Sequence, residues 1–209
     1  RTLSEQAARL HCRLREAHDE EETTMTDQQT VAAPGEPARD RPGIPKSYGI
    51  HTGEEGMLPW AWARRRLEVA QNYWVCTTRP DGRPHAMPVW GVWVDDTLLF
   101  GSGRDTRKAR NLAANPHVVV HLESGDDTVI VEGVAEELTD PALLAKGDAA
   151  YLAKYIDPAT GEGFHLAPSG PEGGDSSVYC VRPRAAQAWR EANYPQSATR
   201  WRFGGRRPS

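Results

Sequence analysis

The sequence predicts a mainly β, α+β protein: an antiparallel barrel or sandwich with short helices over its openings. Three observations carry this. Six or more short segments are rich in β-branched and aromatic residues, most are joined by tight turn signals, and only a few short stretches carry helical spacing. No internal repeat is visible.

Residues 1–22 read as a polar helix with Leu3, Ala7, Leu10 and Leu14 at helical spacing. Met25-Thr26-Asp27 resembles a start, so residues 1–24 are either an upstream extension or a genuine arm. Residues 26–56 hold many Pro, Gly and charged residues and too few large apolar ones to offset their ordering entropy. The expected division is therefore a flexible or draped N-terminal extension over 1–56 and a folded domain over 57–209. Pro59 suits a helix first turn, and Trp60, Ala63, Leu67 and Ala70 mark one helical face. Asn72 to Arg79 is β-rich, Pro80-Asp81-Gly82 is a turn, and His85 to Val94 is β-rich again. Asp95-Asp96 turns into Leu98-Leu99-Phe100. Thr106 to Ala114 reads as a short helix with Thr106 as N-cap, broken at Asn115-Pro116. His117 to Glu123 and Thr128 to Leu138 form a hairpin, and Asp140 caps a helix running to Tyr155. Residues 157–176 are Gly/Pro-rich loop; Ser177 to Val181, Ala188 to Glu191 and Thr199 to Phe203 supply the late strands.

The bulk properties exclude several classes. A net charge of -4 across 209 residues argues against a nucleic-acid partner, which calls for a clustered basic excess. No apolar run approaches the ~18 residues of a membrane span, and no secretory signal is visible. Cys12, Cys76 and Cys180 are too few and scattered for a disulfide or zinc framework, so the expected location is cytoplasmic, with reduced thiols and no metal.

Thr106-Arg107-Lys108-Ala109-Arg110 is the strongest chemical signal. A hydroxyl cap followed by two cations opens a helix whose N-terminus carries unpaired N–H groups and partial positive charge. Arg grips phosphate oxygens in a fork and Lys acts as a point charge, so the pattern suits a phosphate ester. From spacing alone, an ordinary solvated basic helix has equal standing. Trp90 and Trp93, three apart on an expected strand, face opposite sides, so one can enter the core while the other meets a ligand or partner subunit. On periodicity alone, both rings packing inside is the simpler reading. Pro88-Val89-Trp90 offers backbone to a flat heterocycle, because Pro88 lacks a donor and interrupts regular pairing.

The succession Asp81-Gly82-Arg83-Pro84-His85, Pro88-Val89-Trp90, Phe100-Gly101-Ser102, Thr106-Arg107-Lys108-Ala109 and Asn115-Pro116, with Gly133 following, resembles the flavin-binding split β-barrel of the pyridoxamine-phosphate-oxidase-like proteins. The resemblance covers residues 58–155 well and 177–203 loosely. It implies an antiparallel split β-barrel whose cofactor site lies at a homodimer interface. It further implies that Thr106, Arg107 and Lys108 hold the cofactor phosphate with Ser102 close by, and that Met87, Pro88, Val89 and Trp90 lie along the ring. The chain departs from the pyridoxamine-phosphate oxidases themselves. Met87 and Val92 stand where those enzymes carry Arg and Lys, and Thr199-Arg200-Trp201-Arg202-Phe203 replaces an Arg-x-His. The deazaflavin-dependent reductases of the same fold tolerate such losses. The acidic tail of their cofactor, coenzyme F-420, would find cations at Arg104, Arg107, Lys108 and Arg110. The resemblance thus implies an oxidoreductase passing hydride from the deazaflavin, or else FMN, to a small organic substrate. The alternatives are a non-enzymatic carrier of flavin, deazaflavin or haem, and an FMN-dependent oxidase-like enzyme.

Other residues read more plainly. His117 and His121 share a strand face as ligands might, but satisfied sheet histidines are the simpler reading. Tyr151 and Tyr155 read as helix packing, Glu132 as a solvent-facing strand residue, and His85 as polar lining or a turn-end surface residue. No Ser-His-Asp or Cys-His set suggests itself, so no catalytic acid is assigned.

Overall fold

The computed structural model describes residues 36–167 and 175–204. The expected helix over 1–22 and the arm to residue 24 lie outside those residues. In chain order come β1 (Ala38–Asp40), α1 (Trp60–Val69), β2 (Tyr73–Thr78), β3 (Pro84–Val89), β4 (Val92–Val94) and β5 (Thr97–Gly103). Then follow α2 (Arg107–Ala114), β6 (His117–His121), β7 (Asp127–Glu137), α3 (Pro141–Lys154), β8 (Ser176–Arg190), α4 (Tyr194–Ser197) and β9 (Thr199–Arg202). Every pairing is antiparallel, in the order β1-β9-β8-β7-β6-β2-β3, with β5 on β8 and β4 on β5. This is the split-barrel α+β architecture.

The split arises at β8. One edge of β8 pairs with the whole of β7; its other edge pairs first with β5, through Ser176–Val181, and then with β9, through Ala185–Ala188. The sequence reading gives two strands here, Ser177 to Val181 and Ala188 to Glu191, yet Ser176–Arg190 runs unbroken through Pro183. The register shifts where Gly133 faces Pro183, and Arg184 is left out of the ladder. A proline without a donor is tolerated at such a bulge, and the Arg184 carbonyl accepts instead from Phe203 N at 3.0 Å. Gly133 is required there, because a Cβ would lie 2.6 Å from the Arg182 carbonyl oxygen.

Conversely, the expected run His85 to Val94 is two strands. It breaks at Trp90-Gly91, where a Cβ on Gly91 would lie 2.8 Å from Leu99 O. The Asp95-Asp96 turn is as expected: both residues have left-handed φ, 49° and 54°, matching the two-residue hairpin turn that follows strand twist. Asp140 caps α3 by accepting from Ala142 N at 2.9 Å, with Pro141 in the first turn.

The extension ends earlier than residue 56. Ala38–Asp40 pairs with Arg200–Arg202, and the Asp40 carboxylate takes Arg200 Nε and Nη2 at 2.7 and 2.8 Å. Arg41 donates to the carbonyls of Gly53, Glu55, Gln196 and Ala198. The compact unit therefore begins at Pro37. The composition hid this because residues 36–56 bury little apolar surface and are held by backbone and guanidinium hydrogen bonds.

Two apolar clusters flank the sheet. Leu67, Tyr73, Val75, Leu98, Phe100, Val120, Val131 and Trp201 fill the barrel. Val92, Leu99, Tyr151, Tyr155, Leu166 and Cys180 pack beneath α3. β5 feeds both, because alternate residues of a strand point to opposite faces. No helix among the described residues is long and apolar enough to cross a membrane.

Candidate functional site

The site is built where β5 delivers the chain into α2. Thr106 is extended and its hydroxyl accepts from Ala109 N at 3.2 Å, so the helix starts where the hydroxyl cap dictates. Ser102, the inward residue near the end of β5, has its Oγ 2.9 Å from Thr106 Oγ1 and accepts from Lys108 Nζ at 3.0 Å. Lys108 is only 9% exposed, 5.5 Å from the Phe100 ring centroid, and burial lowers its pKa. A neutral hydroxyl is its one polar partner; no carboxylate meets it among the described residues. A buried ammonium so placed lacks its counter-charge. The structure thus brings Ser102, Thr106 and Lys108 into one bonded cluster, with Arg107 beside it on the exposed side of α2.

From this cluster the core-side face of β3 runs outward. His85, Met87 and Val89 oppose Thr77, Val75 and Tyr73 of β2. Val75 and Tyr73 are fully buried, yet Met87 on the same face is 47% exposed. The face therefore emerges from the barrel at β3, the last strand of the sheet, as an open apolar shelf about 17 Å long. Pro88 points to the opposite face, toward solvent.

Trp90 lies past the end of β3, as far along the shelf from Lys108 as the strand allows. Its ring is 47% exposed and stacks on Tyr155, with centroids 4.7 Å apart and planes 8° apart; Phe164 stands 5.6 Å away. Trp93 is buried against Trp60. The two tryptophans do face opposite environments. Tyr155 does more than pack: its hydroxyl accepts from Gly91 N and lies within 2.7–2.8 Å of the Gln71 and Gly91 carbonyls, clamping the β3–β4 junction.

Two expected tail cations fare differently. Arg104 is spent on Glu137 and Asp175, the latter at 2.9 Å, so its guanidinium is not free for a ligand. Arg110 is exposed on α2, on the same side as Arg107. Val92 is buried under α3, away from the shelf.

Sequence reasoning missed three residues beside Lys108. Asn111 is completely buried and donates to Thr77 Oγ1 at 2.9 Å, while its own Oδ1 has no partner among the described residues. Thr77 Oγ1 lies 3.4 Å from His85 Nδ1. Arg79, the residue after β2, follows in step with Tyr73, Val75 and Thr77 at the start of the turn. The usable signals were local: Asn111 follows Lys108 by three on a helix, and Thr77 and Arg79 extend the period-two face of Tyr73 and Val75. His85 is held neutral further into the acid range, first by burial and then by Arg79, Lys108 and Arg107. His121 stacks on Trp74 and its Nδ1 meets the Leu122 carbonyl at 2.8 Å, while His117 is exposed. Among the described residues no group of three or more His, Cys, Asp or Glu is placed to hold a metal.

The family model described as pyridoxamine 5'-phosphate oxidase matches residues 63–190, more than half of the chain. Among solved structures, the chain is similar to a conserved hypothetical protein from Mycobacterium tuberculosis, with 23% identity and a TM-score of 0.52 over 64% of this chain and 86% of that one. It is similar to an F-420 reductase at 26% identity and a TM-score of 0.44, over 59% of this chain and 94% of that one. It is also similar to a heme binding protein from Mycobacterium smegmatis at 19% identity and a TM-score of 0.48, over 67% of this chain and 62% of that one. No curated protein matches the sequence.

Proposed function

The chain belongs to the pyridoxamine 5'-phosphate oxidase family, and from that premise we propose that it binds a phosphorylated flavin-type cofactor along β3 and acts as an oxidoreductase. The observation that carries this reading is Lys108, a buried ammonium with only a hydroxyl for a partner, at the head of an apolar shelf. A phosphate at the start of α2 gives Lys108 its counter-charge, and Arg107 and the free N–H groups of the first turn complete the grip. Met87 and Val89 present the apolar surface on which a flat ring lies. Within this class we propose the deazaflavin coenzyme F-420, with FMN as the alternative. Neither Met87 nor Val92 adds a cation to hold a lone phosphate, whereas Arg107 and Arg110 share an exposed helix face suited to an acidic tail. When bound, the cofactor supplies the hydride that passes to a small organic acceptor.

Vitamin B6 oxidation is disfavoured, because Arg200 and Arg202 near the C-terminus are held by Asp40. The open shelf calls for a cover, and a second copy of the chain related by twofold symmetry supplies it. Titrating both cofactors at low and high salt tests the assignment. The deazaflavin should bind about tenfold tighter, a difference of about 1.4 kcal/mol, and its advantage should shrink as salt screens the exposed arginines. Tighter FMN binding would return the protein to the FMN branch. Binding without turnover of any acceptor by the reduced cofactor would make it a carrier.

A further inference from the structure

The positive charge at this end of the barrel is larger than the helix start accounts for. Arg79 stands two residues beyond Thr77, just past the end of β2, in step with the face that Thr77 and His85 share. Its backbone N–H bonds Arg83 O at 2.9 Å, so it sits at the first position of the β2–β3 turn, diagonal to His85 across the hairpin. α2 packs over this part of β2. Arg79 Nε is buried with no hydrogen-bond partner among the described residues. Three cations, Arg79, Lys108 and Arg107, each act on His85 electrostatically. Asp81, exposed in the same turn, bonds Arg83: it takes Arg83 Nε and Nη2 at 3.1 and 2.8 Å and the Arg83 backbone N at 3.1 Å, while Arg79 and Arg107 act on it through space alone. Asp105, ahead of the helix, forms no ion pair among the described residues. Completely buried Asn111, whose Oδ1 has no partner among the described residues, bonds Thr77 at 2.9 Å.

Like charges gathered with only an exposed carboxylate, itself bonded to Arg83, to offset them destabilise a fold, and a buried donor left unpaired adds to the cost. Such an arrangement is balanced when a ligand brings the missing negative charge. We propose that Arg79 is a third cation of the anion-binding pole, gripping the cofactor's phosphate from the strand side while Lys108 and Arg107 grip it from the helix side. The inference rests on the phosphorylated-cofactor reading, and it names a binding residue outside the Thr106–Lys108 stretch. It holds for a terminal phosphate and for a phosphodiester alike.

The test uses the full chain with riboflavin, FMN and coenzyme F-420 as probes. Riboflavin carries the ring without a phosphate. Arg79→Gln should weaken FMN and coenzyme F-420 by about tenfold while leaving riboflavin unchanged, and Arg79→Lys should restore part of the loss. Without ligand, Arg79→Gln should melt no lower than the parent protein, because it relieves crowded charge; a merely structural arginine would lower the melting temperature. Lys108→Ala is the control. If it too fails to separate FMN from riboflavin, the phosphate site itself is misplaced. If Lys108→Ala separates them and Arg79→Gln does not, the site stands and the role given to Arg79 is overturned. An Arg79→Gln protein that binds all three probes equally weakly would also overturn it.

Discussion

Two lysines, Lys108 buried and Lys154 half-buried, show how partners decide a residue's role. Lys108 has one neutral hydroxyl and faces the shelf. Lys154 has three acceptors, the Tyr73 hydroxyl and Gly91 carbonyl at 3.0 Å and the Glu68 carbonyl at 3.4 Å, where α1 ends. All three of its protons are placed, so it is a structural clamp. Burial nevertheless lowers its pKa to about 8 from 10.5. The folded state therefore releases this proton before the unfolded chain does. Its contribution to stability is fully present above the unfolded value and is lost as pH falls through 8. Lys154→Met removes a desolvated charge, while Tyr73 keeps its bond to Leu67 O and the Gly91 carbonyl keeps Tyr155. Urea unfolding should find the variant within about 1 kcal/mol of the parent at pH 7. Between pH 8 and 10.5 the parent should gain on the variant. A pH-independent difference would show that Lys154 is not titrating in that window.

At the scale of elements, β8 and α2 have different causes. The start of α2 is set locally by the Thr106 hydroxyl and Ala109 N. β8 persists through Pro183 because two partner strands hold it on either side of the bulge. Gly133 is the residue this bulge cannot spare: a Cβ would lie 2.6 Å from Arg182 O and 2.9 Å from Val181 Cγ1. One of those neighbours is backbone and cannot swing aside. Gly133→Ala should cost about 1–3 kcal/mol, the range for overpacking, and appear as a lower denaturant midpoint. An unchanged midpoint would mean the bulge opens freely.

For the whole molecule, the segment from Pro37 to Gly56 belongs to the fold. A chain beginning at Met57 loses the β1–β9 pairing, the Asp40–Arg200 pair and the four Arg41 bonds to carbonyls. It should unfold about 2–4 kcal/mol more readily than one beginning at Pro37, taking several net hydrogen bonds of about 1 kcal/mol each. Equal melting of the two would assign the segment no stabilising part. The same scale governs assembly. Met87 and Trp90 are each 47% exposed beside the last strand of the sheet, an edge that proteins ordinarily cover. Light scattering at micromolar concentration should give the mass of a dimer, and Met87→Lys should shift it toward the monomer. A monomeric parent protein would leave the shelf to be closed some other way.

What the sequence determined by itself was whatever depends on neighbours a few residues apart. The alternation of β2, β6 and β7, the Asp95-Asp96 turn, and the caps at Thr106 and Asp140 were legible because period and capping are local chemistry. The order of motifs pointed to the family, because spacing along the chain survives without knowledge of contacts. The tertiary structure alone decided that Ala38–Asp40 joins β9, that β8 is one strand, and that Arg104 is taken by Glu137 and Asp175. It alone brought Thr77 within 2.9 Å of Asn111, 34 positions away. Long-range pairing leaves no local trace: a short polar strand reads as loop until its partner is known, and a cation reads as free until the carboxylate that folding brings beside it is seen.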